Sequence, residues 1–282
     1  MIRKRRVGDL LRRFGVAVLL AVFAATVLFP LLWIVYSSLK SSPEIAESPW
    51  GLPRAVHWAN FVNAWTDGGI GTSFLNSAIV TVCTLAILLP VGAMAAYVFA
   101  HYPFRGSKFL FGTFIGGMMV PQFLAIVPLF ILLSQLSLLD TKAGLVLVYV
   151  AYSLGFTIFV LTGFFQTLPK ELTEAAMIDG CGHAGAFWRV MLPLARTGLI
   201  VVGIFNGIGL WNEYPLALVL ISSTEQRTLP LGIANLAMAE HYQSDWGALF
   251  AGLVIVMIPV MAVYWIFRDK IHETMLAGAL KG

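Results

Sequence analysis

The chain has 282 residues, of which 59% are hydrophobic and only 11% are charged, and its net charge is +4. Soluble domains carry about a quarter charged residues, so this composition excludes an ordinary soluble domain. Two cysteines, Cys83 and Cys181, are too few for a disulfide framework.

Six long apolar runs predict membrane-spanning helices. A spanning helix needs about 20 mostly apolar residues, and inside lipid the backbone polar groups must be bonded within the element. Buried helices of a large soluble protein are the alternative, but a run such as 15–36 has no polar face. We therefore predict an all-α membrane protein with one domain over residues 1–282. The predicted spans are 14–38, 73–100, 108–136, 143–166, 198–222 and 247–267.

The first run follows the basic segment MIRKRRVGDLLRR and could be a signal peptide. The apolar region of a signal peptide is only about 7–15 residues long. This run is longer and contains Pro30 and Trp33. It predicts a retained first span.

Basic residues in the connecting segments predict the orientation. Lys and Arg near the ends of spans favour the cytoplasmic side, and 14 of the 18 basic residues fall on one side of the predicted spans. Both termini and the loop 167–197 are therefore predicted to be cytoplasmic. On the other side, loop 40–72 carries three tryptophans that suit a membrane interface, and loop 223–246 is large enough to contact a partner.

A few polar residues interrupt the spans. Asn76 and Asn206 are of the type that ties helices together. A charge at membrane depth is costly, and Glu213 lies 17 residues after Arg196, which predicts the outer half of the fifth span. Asn212 and Glu213, and less strongly Asn76, are candidates to line a solute path. Alternatively, Glu213 bonds to a partner subunit or to a backbone group and is part of the gate.

The central loop predicts a short helix. Thr167 can cap it, and Pro169 suits its first turn. Glu171 suits the positive end of the helix dipole. Gly180 can take the left-handed conformation that ends a helix. A second helix, 183–191, is predicted to end before Pro193.

The faces of the first loop helix suggest a partner. Spacing predicts that Leu172, Ala175 and Ala176 share one face, where alanines allow close approach of another backbone. Carboxylates beside them would be repelled by anionic lipid, whereas helices lying on the membrane favour Lys and Arg on their polar face. A protein partner is therefore favoured over the headgroup surface. The three carboxylates of this helix are Glu171, Glu174 and Asp179.

EAAMIDG (174–180), followed by Phe187 and the Leu-Pro pair at 192–193, resembles the EAA loop of permease subunits in ATP-binding-cassette importers. In that family this loop is the coupling helix that fits a groove on the ATPase subunit. The resemblance implies that the contact is made by Glu174, Ala175, Ala176, Asp179 and Gly180, with Glu171 beside them.

The resemblance covers nearly the whole chain and is to the maltose-type sugar permeases, in particular to their G subunit. Thr197 departs from the proline usual in that group. The other stretches that carry the resemblance are ANFVNAW (59–65), NSAIVTV (76–82), AAYVFAHYPFRG (95–106), MMVPQFLAIVPLF (118–130), LSLLDTKAGLVLVY (136–149), WNEYPLAL (211–218) and GALKG (278–282).

The resemblance implies a transport subunit of a bacterial or archaeal plasma membrane that binds no cofactor itself. ATP and Mg²⁺ would be bound by a separate ATPase dimer. The other implied partners are a second, F-like permease, an extracytoplasmic sugar-binding protein and the bilayer, with no nucleic acid. Polyols or glycerol phosphates are alternative solutes.

Two other functional classes are disfavoured by the sequence. A membrane enzyme would need a catalytic set, but HExxH, GxSxG and GxxxxGK[ST] are absent and the five histidines are scattered, so no metal site is expected. An ion-coupled transporter would favour internal symmetry and several charges at membrane depth, and the sequence has neither.

Overall fold

The computed structural model describes the backbone of residues 2–243 and 245–279, and the side chains of 12–238 and 245–268. Within these ranges all regular elements are helices, which confirms the predicted all-α class. The side chains of Arg3 to Arg6 and of GALKG (278–282) lie outside the described residues, and the cytoplasmic placement of both termini stays a prediction.

The helices follow the apolar runs and fill parts of the connecting loops. In chain order they are α1 (Ile2–Ser37), α2 (Ser42–Glu47), α3 (Ala59–Trp65), α4 (Ile70–His101), α5 (Ser107–Met119), α6 (Gln122–Gln135), α7 (Lys142–Gln166), α8 (Glu171–Ile178), α9 (His183–Ala186), a π-helical turn (Phe187–Met191), α10 (Leu192–Leu194), α11 (Arg196–Trp211), α12 (Pro215–Leu220), a 3₁₀ turn (Thr224–Gln226), α13 (Leu229–Gln243) and α14 (Trp246–Ala279).

Four helices of the described chain are long and apolar enough to cross a membrane. They correspond to the first, second, fourth and sixth predicted spans. Two bent helix pairs raise the number to as many as six if each pair counts as one span. The four segments are Arg12–Ser37, Ile70–His101, Lys142–Gln166 and Trp246–Arg268.

The predicted third span, 108–136, is not one helix. Helices α5 and α6 meet at an angle of 102°. Val120 between them is extended, with ψ of 120°, because the ring of Pro121 disfavours helical geometry in the residue before it. The apolar run therefore predicted an apolar helical segment here but did not predict the bend within it.

The predicted fifth span, 198–222, is also interrupted. Helix α11 ends at Trp211 and α12 begins at Pro215, whose missing N–H is tolerated only in the first turn of a helix. On its other side, α11 is bent by 73° from the helical segment His183–Leu194. The sequence predicted that the second loop helix ends before Pro193. The helical segment instead continues through Pro193, which lies in the first turn of α10.

The chain forms two compact units. The first comprises 1–69 and 235–257. In it the loop after α1 folds back on the end of that helix: the Asn60 amide donates to the carbonyl oxygens of Ser38 and Lys40, each at 2.8 Å. The buried Lys40 ammonium donates to the carbonyl of Ser48 at 2.9 Å. These bonds satisfy an amide and a charge that would otherwise be costly to bury.

The second unit comprises 70–234 and 258–282 and contains the predicted functional residues. Its centre is the packing of α4 on α7. At Gly92 a Cβ would lie 2.4 Å from the Thr157 methyl, so glycine permits the close approach. One apolar cluster surrounds Tyr149 and the other surrounds Tyr97 and Phe165. The second cluster supports the central loop.

Candidate functional site

The central loop presents α8 as a short, defined helix. Glu171 and Glu174 lie in its first turn, where carboxylates interact favourably with the helix dipole. At its other end Gly180 has φ of +85°, and the Cys181 amide donates to the Ala176 carbonyl at 2.9 Å. A left-handed residue followed by a bond that spans six residues is a typical helix stop, as the sequence predicted for Gly180.

The start of α8 differs from the prediction. Thr167 does not cap α8, because its hydroxyl donates to the Phe164 carbonyl at 2.7 Å. It closes the end of α7 instead. Helix α8 begins four residues later, and Lys170 at its N-cap supplies no side-chain hydrogen bond.

The faces of α8 also differ from the prediction. Leu172 and Ala175 are exposed, but Ala176 is only 6% exposed and points into the protein together with Thr173. Ala176 therefore lies on the buried face of α8 and offers little surface to a partner. The remaining candidates of the predicted contact, namely Glu171, Glu174, Ala175, Asp179 and Gly180, are exposed.

Sequence analysis missed one residue of this surface. Ile178 is 86% exposed, which is unusual for a large apolar side chain in a helix that also has a buried face. It lies four residues after Glu174 and three after Ala175, so helical spacing alone could have placed it on their face. The exposed surface of α8 thus combines carboxylates with small and apolar groups.

Hydroxyl and imidazole groups join the loop to the end of α4. The Tyr97 hydroxyl lies 3.4 Å from Thr173 Oγ1 and 3.3 Å from the Tyr102 hydroxyl. The Tyr102 hydroxyl lies 3.0 Å from His183 Nδ1. Burial, and then the hydrogen bond with Tyr97, raise the pKa of Tyr102 to about 12, so its hydroxyl keeps its proton near neutral pH.

Glu213 lies in the break between α11 and α12 and is surrounded by hydrogen-bond donors. Its carboxylate accepts from the Gln122 amide at 3.0 Å and from the Tyr149 hydroxyl. It also accepts from the backbone N–H groups of Leu216 at 2.7 Å and Ala217 at 3.2 Å. Glu213 therefore caps α12 and ties it to α6 and α7.

The other two path candidates make hydrogen bonds of their own. Asn76 is buried, and its amide donates to the carbonyls of Glu225 at 2.8 Å and Arg227 at 2.9 Å. Asn212 is exposed, and its amide donates to the Ile208 carbonyl at 2.8 Å. Asn76 thus holds the connection after α12, whereas Asn212 keeps an accessible side chain.

A cavity of about 290 Å³ opens beside Glu213 in the second unit. Its walls combine aromatic rings with a few polar groups, a composition common to small-molecule sites. Tyr152 and Phe205 line it and are exposed. The other lining residues are Gln122, Tyr149, Ser153, Phe156, Asn206, Gly209, Leu210, Glu213 and Leu216. Among the described residues no three His, Cys, Asp or Glu side chains are grouped as a metal site would require.

Comparison with known proteins gives consistent matches. The family model described as "Binding-protein-dependent transport system inner membrane component" matches residues 88–275. The diacetylchitobiose uptake system permease protein NgcG of Streptomyces coelicolor is 43% identical, over 96% of this chain and 90% of that protein. The trehalose transport system permease protein SugB of Mycobacterium tuberculosis is 32% identical, over 94% of this chain and 97% of that protein.

Solved structures include transporters with a similar fold. The fold matches a chain of a bacterial ABC transporter involved in the import of the acidic polysaccharide alginate, with a TM-score of 0.76 and 25% identity. The match covers 92% of this chain and 96% of that one.

Proposed function

The chain belongs to the family of binding-protein-dependent transport system inner membrane components, and we propose that it forms half of the translocation pathway of an ATP-driven carbohydrate importer. It is a multi-pass protein of the plasma membrane. Relatives named for diacetylchitobiose and trehalose transport support a sugar or oligosaccharide as the solute. In this proposal the chain is one permease domain with six spans and cytoplasmic termini, in which α5 with α6 forms the third span and α11 with α12 forms the fifth.

The observation that carries the proposal is the exposed surface of α8 within the segment matched by the family model. Carboxylates of Glu171, Glu174 and Asp179 surround Ala175 and the protruding Ile178. A small residue permits close contact, and an exposed apolar side chain among charges suits a pocket on a partner. In the proposed assembly α8 docks on the ATPase subunit from the cytoplasmic side.

The partners follow from the same assembly. ATP and Mg²⁺ are held by the ATPase dimer, and this chain contributes the mechanical connection rather than the hydrolysis. An extracytoplasmic binding protein delivers the solute, and a second permease subunit completes the pathway. A solved alginate transporter in complex with a periplasmic protein that carries an alginate pentasaccharide has the same fold, with a TM-score of 0.62.

The solute path is proposed to pass the cavity beside Glu213. Its exposed rings, Tyr152 and Phe205, can stack on the apolar face of a sugar, and Asn206 and Ser153 line the same wall. Asn212 keeps an accessible side chain near the same break. Glu213 and Asn76, which are bonded to the protein itself, are proposed to hold the shape of the path.

The test is the capture of this chain, together with the second permease, by a tagged ATPase. Glu174→Arg reverses a charge on the proposed docking surface. Loss of one partner of a close interfacial charge pair costs about 2–5 kcal/mol, so recovery of the complex should fall more than about tenfold. Membrane insertion should persist, because the residue is exposed on α8.

The matched control is Glu225→Arg, which reverses an exposed carboxylate outside the central loop and should leave recovery unchanged. Normal capture and solute-stimulated ATP hydrolysis by Glu174→Arg would contradict the assignment of α8.

A further inference from the structure

Tyr97 lies where the central loop meets the last turn of α4. It is only 4% exposed. Its ring packs on Phe165 of α7, with centroids 5.6 Å apart, and on Phe187 of the π-helical turn, at 5.3 Å. One side chain of α4 therefore touches both ends of the loop, where it leaves α7 and where it returns toward α11.

The Tyr97 hydroxyl adds a polar connection to α8 itself. Thr173 is buried, and its hydroxyl lies 3.4 Å from that of Tyr97. The inward face of α8 otherwise consists of Ala176, which has only a methyl group. The contact between the Tyr97 and Thr173 hydroxyls is thus a hydrogen bond on this face that depends on the direction of both groups.

A second bond secures the helix that follows. The Tyr97 and Tyr102 hydroxyls lie 3.3 Å apart, and Tyr102 continues the connection to His183 at the start of α9. The two helices of the loop are therefore attached to Tyr97 near the end of α4 and to Tyr102, the residue that follows α4.

We propose that Tyr97 is a positioning residue that holds α8 and α9 to the end of α4, so that a movement of α8 imposed by the ATPase reaches α4. This inference rests on the proposed function, since it requires α8 to be the ATPase contact. Directional hydrogen bonds fix the rotation of α8 on α4, whereas ring packing alone would permit it to roll. Movement would then pass along α4 to α7, its closely packed neighbour.

The two native cysteines provide the test, because one lies on each side of Tyr97. Cys83 is exposed on α4, and Cys181 lies three residues after the end of α8. A nitroxide is attached to Cys83 in a Cys181→Ala background, or to Cys181 in a Cys83→Ala background. The spectral change on adding ATP and vanadate is recorded for the complete complex in nanodiscs.

Tyr97→Phe keeps the ring and removes the hydroxyl. We expect the spectral change at Cys181 to be retained and the spectral change at Cys83 to fall by about twofold or more. A fall of this size corresponds to the loss of one or two hydrogen bonds. Thr173→Val should do the same, and the double variant should add little, because both remove one shared contact. The control is Thr167→Val, whose hydroxyl bonds only to Phe164 of α7 among the contacts described.

An unchanged ratio of the two responses in Tyr97→Phe would overturn the inference. Loss of both responses together would also overturn it, because it would show that the hydroxyl merely seats α8. If the wild-type complex gives no response at Cys181, the proposed function itself fails, and the inference falls with it.

Discussion

Glu213 shows why the role of a residue is hard to assign from sequence when its partners are distant. A carboxylate within an apolar segment is costly, so its importance was predictable. Its donors were not, because Gln122 and Tyr149 lie 91 and 64 residues away in the chain. They meet only in the folded chain, where Gln122, just after the bend between α5 and α6, lies beside the break before α12. The alternative in which Glu213 bonds to backbone groups agrees with the structure.

Replacement of Glu213 by Gln separates the architectural role from solute binding. In the variant, the amide nitrogen would lie against a hydrogen-bond donor. The side chain that caps α12 would also lose its negative charge. Hydrogen bonds to charged groups contribute about 1.5–3 kcal/mol, so we expect Glu213→Gln to lower the unfolding free energy by about 2 kcal/mol. Tyr149→Phe, which removes one donor, should cost about 1 kcal/mol.

Denaturant unfolding of the purified chain in detergent measures both effects, and Glu225→Gln, at an exposed carboxylate, is the control. Wild-type stability combined with impaired uptake would instead assign Glu213 to the solute.

At the scale of the element, α8 was predicted well at its end and poorly at its beginning. Gly180 ends the helix because a left-handed residue is required there, a local property that a sequence pattern records. Thr167 failed as a cap because the last carbonyls of α7 compete for its hydroxyl. Ala176 is buried together with Thr173, whose hydroxyl lies near that of Tyr97, and spacing alone does not record which face of the helix is covered.

The end of α8 can be tested with two neighbouring glycines. Neither a Cβ at Gly180 nor one at Gly182 would meet an atom within 4 Å, but Gly180 has φ of +85° whereas Gly182 has φ of −71°. Gly180→Ala should therefore destabilise the end of α8 by about 1 kcal/mol through backbone strain alone. Gly182→Ala should be neutral. Hydrogen exchange of the peptide 171–181 reports the difference, and equal protection in both variants would refute this account of the helix stop.

At the scale of the whole molecule, hydropathy predicted the membrane class and the four long apolar helices that match the first, second, fourth and sixth predicted spans. It did not predict the 102° bend between α5 and α6, nor the 73° bend before α11. Hydropathy averages the side-chain composition of a segment and does not record whether its backbone is straight or broken. The direction of each piece depends on single residues such as Val120 and Pro121 and on packing against other helices.

Orientation across the membrane is the remaining property of the whole chain, and it was predicted from basic residues alone. Ala175 on α8 and Thr224 after α12 are both exposed. In a Cys83→Ala, Cys181→Ala background, we expect Ala175→Cys in intact cells to resist a membrane-impermeant maleimide and Thr224→Cys to react with it. In inside-out vesicles the pattern should reverse, because the distribution of Lys and Arg predicts a cytoplasmic central loop.

Addition of the ATPase to those vesicles should then protect Ala175→Cys and leave the matched control in the same loop, Gly182→Cys, reactive. Reaction of Ala175→Cys from outside intact cells would refute the topology and the docking of α8 together. Reaction from inside without protection would refute only the docking, since the side of the membrane and the presence of a partner are measured separately.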